Sequence, residues 1–277
     1  MSLSVTEAAY LYSSLLLQPP CRPDGRDQYR FRPMDASVGI LPSTNGSARI
    51  RLCDGGECIV GVKAEVEYGN SNEESASIEV ECEIAGLQAG SSPLPNLLSS
   101  TLQTILISTL PSELLTVLGR YRFKLFIDGV IIDHFSHPLT LFSMTVYLAL
   151  LNTSLPKVTN NSEESDESHI EQDVPQFSSD WQDSVRLCKS WTPPLVQMCI
   201  LVGQNVFFDA TKDECNVSDG GISAVWHKGK IIGLKVLNTQ DSSNQVFSLQ
   251  SIKKSITMLP SAFKDLELAL LPFASHD

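Results

Sequence analysis

Four arginines fall within eleven residues, at Arg22, Arg26, Arg30 and Arg32. Guanidinium groups at such density either grip phosphates along a nucleic-acid backbone or fork onto fixed carboxylates. Pro23-Asp24-Gly25 between the first two is a turn signal. The structural reading is favoured: an ion-pair network in which Arg22 and Arg26 bond Asp24 or acids on neighbouring strands. A second group, Asp133, His134 and His137, has the residue types of a metal or acid–base cluster. Pro138 places these histidines in a loop or first helical turn, and no other Cys or His stands at ligand spacing. Capping and interface roles are expected of them, and no metal. Cys215 has the chemistry of a nucleophile but no base paired with it in the sequence, and reads as a plain thiol. Nucleophile-elbow, phosphate-loop and dinucleotide motifs are absent.

These residues hang on elements that the hydrophobic pattern predicts. Phe123, Leu125 and Ile127 alternate with Lys124, Phe126 and Asp128, the period of a strand with one face on a core. Asp133 to Ser136 breaks that run. Ser136 is the predicted N-cap of a buried helix through Leu139, Phe142, Met144, Val146, Leu148 and Leu150, with Pro138 in its first turn. Strand, tight loop and buried helix is a frequent setting for a phosphate, because helix N-termini present free N–H groups.

The opening residues 1–19 predict an amphipathic helix with Val5, Ala8, Ala9, Tyr12, Leu15 and Leu16 on one face. Residues 20–157 read as a first lobe. It holds a hairpin through Asp54-Gly55 between strands Arg49–Leu52 and Cys58–Val66, then a strand Ile78–Ile84 with a wet face of Glu79, Glu81 and Glu83. A helix follows over Leu94 to Ile107. Residues 158–176 form a polar, acidic insertion in which Ser162, Ser165 and Ser168 stand among acids. Residues 177–277 form a second lobe, with a strand Leu195–Val202 and a hairpin over Lys228-Gly229-Lys230. Its C-terminal helix starts near Leu249, turns Ile252, Ile256 and Leu259 inward, and should kink or break at Pro260. The order implies a single α/β (α+β) domain of two βαβ-type lobes, with mixed sheets packed by helices.

The chain has 277 residues, 42% of them hydrophobic, ample for such a core. Its formal net charge is −12, which disfavours free binding to nucleic acid. Seven acids lie between Val158 and Asp180 with no Lys or Arg; without that −7 the remainder carries only −5. Local contact with RNA therefore stays open. Seven scattered cysteines with no C-x-x-C pair read as reduced thiols, and no apolar run reaches the roughly 18 residues of a membrane span.

Taken in order, Arg22-Pro23-Asp24-Gly25-Arg26, Arg30-Phe31-Arg32-Pro33 and Asn45-Gly46-Ser47-Ala48-Arg49 resemble the N-terminal signature of the RNase PH family. The opening helix, Ser136-His137-Pro138 and Asp209-Ala210-Thr211 leading to Glu214 extend the likeness, in particular to members in the exosome ring. The likeness covers nearly all of the chain apart from the 158–176 insertion. It implies an RNase PH-type fold, a place in a six-membered ring of RNase PH-like subunits, KH- and OB-type cap subunits, and associated catalytic exoribonucleases. It also implies single-stranded RNA in the channel, no cofactor, no membrane, and a location in nucleus, nucleolus and cytoplasm.

Active members of that family degrade RNA from its 3′ end with inorganic phosphate, which needs an anion pocket, arginines on the RNA and an acid near the scissile phosphate. Against that pattern the cradle loop reads Phe135-Ser136-His137-Pro138, without Gly or Arg. The Leu97–Ile107 helix carries no arginine, and the catalytic-acid position falls on Cys215, with Glu214 beside it. The resemblance thus implies a degenerate site and a non-catalytic subunit. The alternative is an active phosphate-dependent exoribonuclease working through Glu214 or a neighbour's residues. Lys63, Arg120, Arg122 and Lys124 are the candidate RNA-facing cations, with ordinary surface or interface roles as the competing reading. A free-standing acidic regulatory protein is a weaker third class.

Overall fold

A computed structural model describes residues 3–274 except 69–76, 88–89, 91, 119–120, 135, 160–174 and 238–248. Arg120, Phe135, Ser162, Ser165 and Ser168 therefore lie outside the described residues, as does most of the 158–176 insertion.

The chain begins with α1 (Val5–Leu16), started by a capping box between Ser4 and Glu7. The first sheet contains β1 (Met34–Val38), β2 (Gly46–Leu52), β3 (Glu57–Tyr68), β4 (Ile78–Ile84), a short β5 (Thr116–Leu118) and β6 (Tyr121–Asp133). Its order is β1-β2-β3-β6-β4, with β5 on β6. Helix α2 (Leu94–Thr109) follows β4, and β4 runs parallel to β6, so β4–α2–β6 is a βαβ unit inside an otherwise antiparallel sheet. Buried Ile78, Val80, Cys82 and Ile84 alternate with outward Glu79, Glu81 and Glu83, as the sequence pattern requires.

Helix α3 (Leu139–Asn152) is buried almost all round and joins the lobes. It packs on β2 and β3 of the first sheet and on β9 of the second. Phe142 fills the space above Gly129 of β6, where a Cβ would collide with its ring. Strands β7 (Ser154–Pro156) and β8 (Ser184–Arg186) form a small ribbon after α3. The second sheet contains β9 (Leu195–Val202), β10 (Asn205–Phe208), β11 (Gly220–His227) and β12 (Lys230–Leu237), in the order β10-β9-β11-β12. Short α4 (Lys212–Val217) links β10 to β11, and α5 (Leu249–Ala274) ends the described chain. The mixed character resides in the first sheet; the second is antiparallel throughout.

Among the described residues no strand pairs with the first half of β9 on its β10 side. There α3 serves its backbone: Val196 N–H donates to Ser143 Oγ at 2.7 Å and Met198 N–H to Thr140 Oγ1 at 3.1 Å. One apolar cluster runs from Ile50, Leu125 and Leu148 to Cys199, Trp226 and Phe263, so both lobes share a core. A second, smaller cluster lies under α1, where Leu11 and Leu15 meet Met198, Ile200 and Phe207.

Three local expectations change. The inward face of α1 is Leu11 and Leu15 with half-buried Ala8 and Tyr12, while Val5, Ala9 and Leu16 are exposed. Polar anchors set that rotation: Tyr12 donates to Asp219 Oδ1 at 3.0 Å, and Asn205 Nδ2 donates to the Leu15 carbonyl at 2.8 Å. Helix α5 continues through Pro260, because Leu259, Ala262, Phe263, Leu266 and Leu270 bury one continuous stripe that outweighs a missing N–H. Ile256 points outward, and Ser251 and Ser255 take the inward positions of the first turns.

Candidate functional site

The arginine-rich segment 22–32 lies against the end of β10 and the start of α4, and every donor of Arg22 is used there. Its Nε and Nη2 fork onto Glu214 Oε1 and Oε2 at 2.8 and 2.7 Å. Nη1 donates to the carbonyls of Asp27 and Phe208, and Nη2 also reaches the Asp209 carbonyl. Five N–H donors are thereby satisfied. Both side chains of the Arg22–Glu214 pair are 0% exposed. Glu214 Oε2 also accepts from Thr211 N at 2.8 Å, closing a capping box that starts α4.

Arg26 is held in the same way. Its Nε donates to Asp24 Oδ2 at 2.7 Å and its Nη1 to Asp209 Oδ2 at 2.9 Å. Gly25, at φ +71°, makes the turn between Arg22 and Arg26 in a conformation that suits glycine. Arg32 completes the group. Its backbone N–H and Nε donate to Asp209 Oδ2 at 2.7 and 2.9 Å, its Nη2 reaches Asp209 Oδ1, and its Nη1 pairs with Asp54. Burial would raise the Asp209 pKa, but the hydrogen bond and charge of Arg32, with Arg26, hold it below the usual carboxylate range. Asp209 itself sits at φ +48°, a left-handed position that an aspartate tolerates, and its carbonyl and carboxylate both meet these arginines.

The cradle loop meets this network at one point: Arg32 Nη2 donates to Ser136 Oγ at 3.0 Å. Ser136 therefore does not cap α3. That part goes to His137, whose Nδ1 accepts from Leu139 N–H at 3.3 Å, while Pro138 supplies no N–H. Burial, with His134 nearby, lowers the His137 pKa, so the ring is neutral at pH 7. The Leu139 N–H that a phosphate would use is thus taken by the protein itself. Cys215 lies beside the His137 backbone, and burial pushes its thiol up to about 11, far from a thiolate nucleophile at neutral pH.

Ser136, His137, Pro138, Glu214, Cys215, Arg22, Asp24, Gly25 and Arg26 thus converge on one place. Sequence reasoning did not single out Asp209, Asp54 or Arg32 as partners of one another; the acid closing β10 is the signal that pointed nearest. Of the remaining candidates, the described ones, Lys63, Arg122 and Lys124, lie on the outer face of the first sheet, away from this cluster. Arg122 pairs with Glu67 at 2.9 Å and Lys124 with Glu79 at 3.0 Å, beside a cleft of about 670 Å³ that Glu79, Glu81 and Glu83 also line. Lys63 is exposed on β3. Among the described residues no group of three or more His, Cys, Asp or Glu is placed to hold a metal ion.

Residues 30–156 match the first domain of the 3′ exoribonuclease family, RNase PH. The chain is 35% identical to exosome complex component RRP42 of Saccharomyces cerevisiae over 273 residues, 98% of this chain and 99% of the relative. It is 28% identical to exosome complex component rrp42 of Schizosaccharomyces pombe, over 95% of this chain and 91% of the relative. Among solved structures it superposes on an archaeal exosome core chain with a TM-score of 0.68 at 17% identity, covering 95% of each chain. The Archaeoglobus fulgidus exosome with RNA bound to the active site gives 0.70, also at 17% identity, over 95% of this chain and 96% of that one.

Proposed function

The chain belongs to the RNase PH family of 3′ exoribonucleases, and from that premise we propose that it is a non-catalytic subunit of the exosome core ring. It takes one place among six RNase PH-like subunits beneath KH- and OB-type caps. Its contribution is geometry: it helps form the channel through which single-stranded RNA reaches a separate exoribonuclease. In that role it supports rRNA maturation and mRNA turnover in nucleus, nucleolus and cytoplasm, with no cofactor of its own. Lys63, Arg120, Arg122 and Lys124 are at most weak RNA contacts, since Arg122 and Lys124 share their surface with Glu67, Glu79, Glu81 and Glu83.

One observation carries this reading: the charges of Arg22, Arg26 and Arg32 are spent inside the protein, and Arg30 stands exposed outside that network. Phosphorolysis drives a phosphate oxygen onto the terminal phosphodiester and expels the shortened 3′-hydroxyl. The attacking anion needs free cations, and the leaving oxygen needs an acid or a metal carboxylate. Here the one arginine that reaches the cradle among the described residues, Arg32, is neutralised by Asp54 and Asp209. The carboxylate beside the catalytic-acid position, Glu214, is buried and forked to Arg22.

The test is phosphorolysis by the purified chain, alone and with its ring partners, on single-stranded RNA with phosphate. Nucleoside diphosphate release is expected to stay at background, and to be unchanged by Asp213→Ala in a ring whose other subunits are active, since the Asp213 side chain is exposed. Release by the chain alone, abolished by Asp213, Glu214 and Asp219→Ala substitutions, would establish the active alternative.

A further inference from the structure

The free edges of the two sheets are finished differently. In the first sheet β4 is an edge, and it is guarded. Glu79, Glu81 and Glu83 line its outer face, α2 packs along it, and Gln103 Nε2 donates to the Ile78 carbonyl at 3.0 Å. In the second sheet β10 is buried throughout, and Phe208 N–H donates to the Gln28 carbonyl at 2.9 Å. β12, the other edge, has no acidic face, helix cover or hydrogen bond from a helix side chain among the described residues.

No acid or proline stands between Gly220 and Leu237. Helix α5 packs on β9, β10 and β11. Ile232, Leu234 and Val236, at alternate positions of β12, are 51%, 46% and 49% exposed. Leu234 and Val236 stand in register with Ala224 and Ile222, both buried. The apolar face of the sheet therefore continues one strand beyond its cover. A bare apolar edge is a template for another strand.

Charge narrows the occupant. Lys228, Lys230 and Lys235 border the edge, and none forms an ion pair among the described residues, although the chain as a whole carries −12. A second copy of β12 would bring lysines to lysines. A strand bordered by carboxylates complements it.

We propose that β12 is an assembly edge, along which a neighbouring RNase PH-like subunit lays an extended, apolar strand bordered by carboxylates. The proposal rests on the ring reading and specifies one of its contacts. The test co-expresses the full chain with the other RNase PH-like ring subunits and follows assembly by native mass spectrometry and hydrogen exchange. Backbone amides of Ile231–Val236 are expected to exchange at least about tenfold more slowly in the complex than in the free chain. Leu234→Glu with Val236→Glu should weaken association at least about tenfold, and Lys230→Glu with Lys235→Glu should weaken it as well. All four side chains are exposed, so the variants are expected to melt with the wild type. A wild-type chain that assembles while β12 exchanges at its free rate, or while both variants assemble normally, overturns the proposal and leaves the ring reading standing. A wild-type chain that joins no RNase PH-like subunit overturns both. Self-association of the chain through β12, lost in the same variants, overturns the heterologous partner.

Discussion

The arginine network and the cradle loop touch through one hydrogen bond, Arg32 Nη2 to Ser136 Oγ, yet they are built on opposite terms. On one side Arg22, Arg26 and Arg32 meet Asp24, Asp54, Asp209 and Glu214 at close range. On the other side Ser136, neutral His137 and Pro138 offer no cation, and the His137 ring takes the Leu139 N–H that would greet an anion. The site is rich in charged residues and poor in available charge. A cluster of arginines near a helix N-terminus is evidence for anion binding only when its guanidinium groups are not already forked to buried carboxylates.

That contrast can be broken most forcefully at Glu214. Glu214→Ala leaves Arg22 charged and buried with its forked carboxylate gone and, among the described residues, only Asp24, at 3.9 Å, as counter-ion, and should cost about 3–5 kcal/mol in denaturant unfolding. Arg22→Met combined with Glu214→Leu should recover most of the loss, because both charges leave together. A loss below about 1 kcal/mol for Glu214→Ala would mean that the pair is not the structural anchor described.

Asp209→Asn comes next, at about 2 kcal/mol near pH 7, for a carboxylate hydrogen-bonded by two arginines. Its pH dependence has a definite sign. The folded pKa of Asp209 is depressed, so the stabilisation is present above the unfolded value of about 3.9 and is lost as pH falls below it toward the folded pKa. The Asn variant should show a shallower loss of stability in that acid range than the wild type.

The smallest effect belongs to the cradle. His137→Gln should change stability by less than about 1 kcal/mol at pH 8, where one hydrogen bond is at stake. The folded pKa of His137 is lowered, so the unfolded chain binds more protons, and stability falls as pH drops from about 6.5 toward the folded value. The variant should flatten that slope in a comparison of urea midpoints. His227 is shifted in the same direction and leaves a residual slope in both proteins.

Much of the fold was legible because alternation survives burial. β4, β6, β9 and the β2–β3 hairpin stand where the apolar period placed them. Long-range pairing was not legible. Arg22 and Glu214 are 192 residues apart, Arg26 and Asp209 are 183 apart, and nothing local marks either acid as a partner. Ser136 has the better intrinsic capping chemistry, yet Arg32 claims its hydroxyl and His137 caps the helix instead. Pro260 carries a strong local signal for a break, overridden by an apolar stripe visible only once the core is assembled.

The central claim, that the chain acts by its place and not by its chemistry, is tested most directly in a reconstituted ring with its exoribonuclease. Ser136, His137 and Asp213 would be changed to Ala together, leaving the buried Arg22–Glu214 pair intact. The expected result is RNA degradation at the wild-type rate by a ring of wild-type composition. A fall of about tenfold or more in that rate, with the ring still assembled, would contradict it.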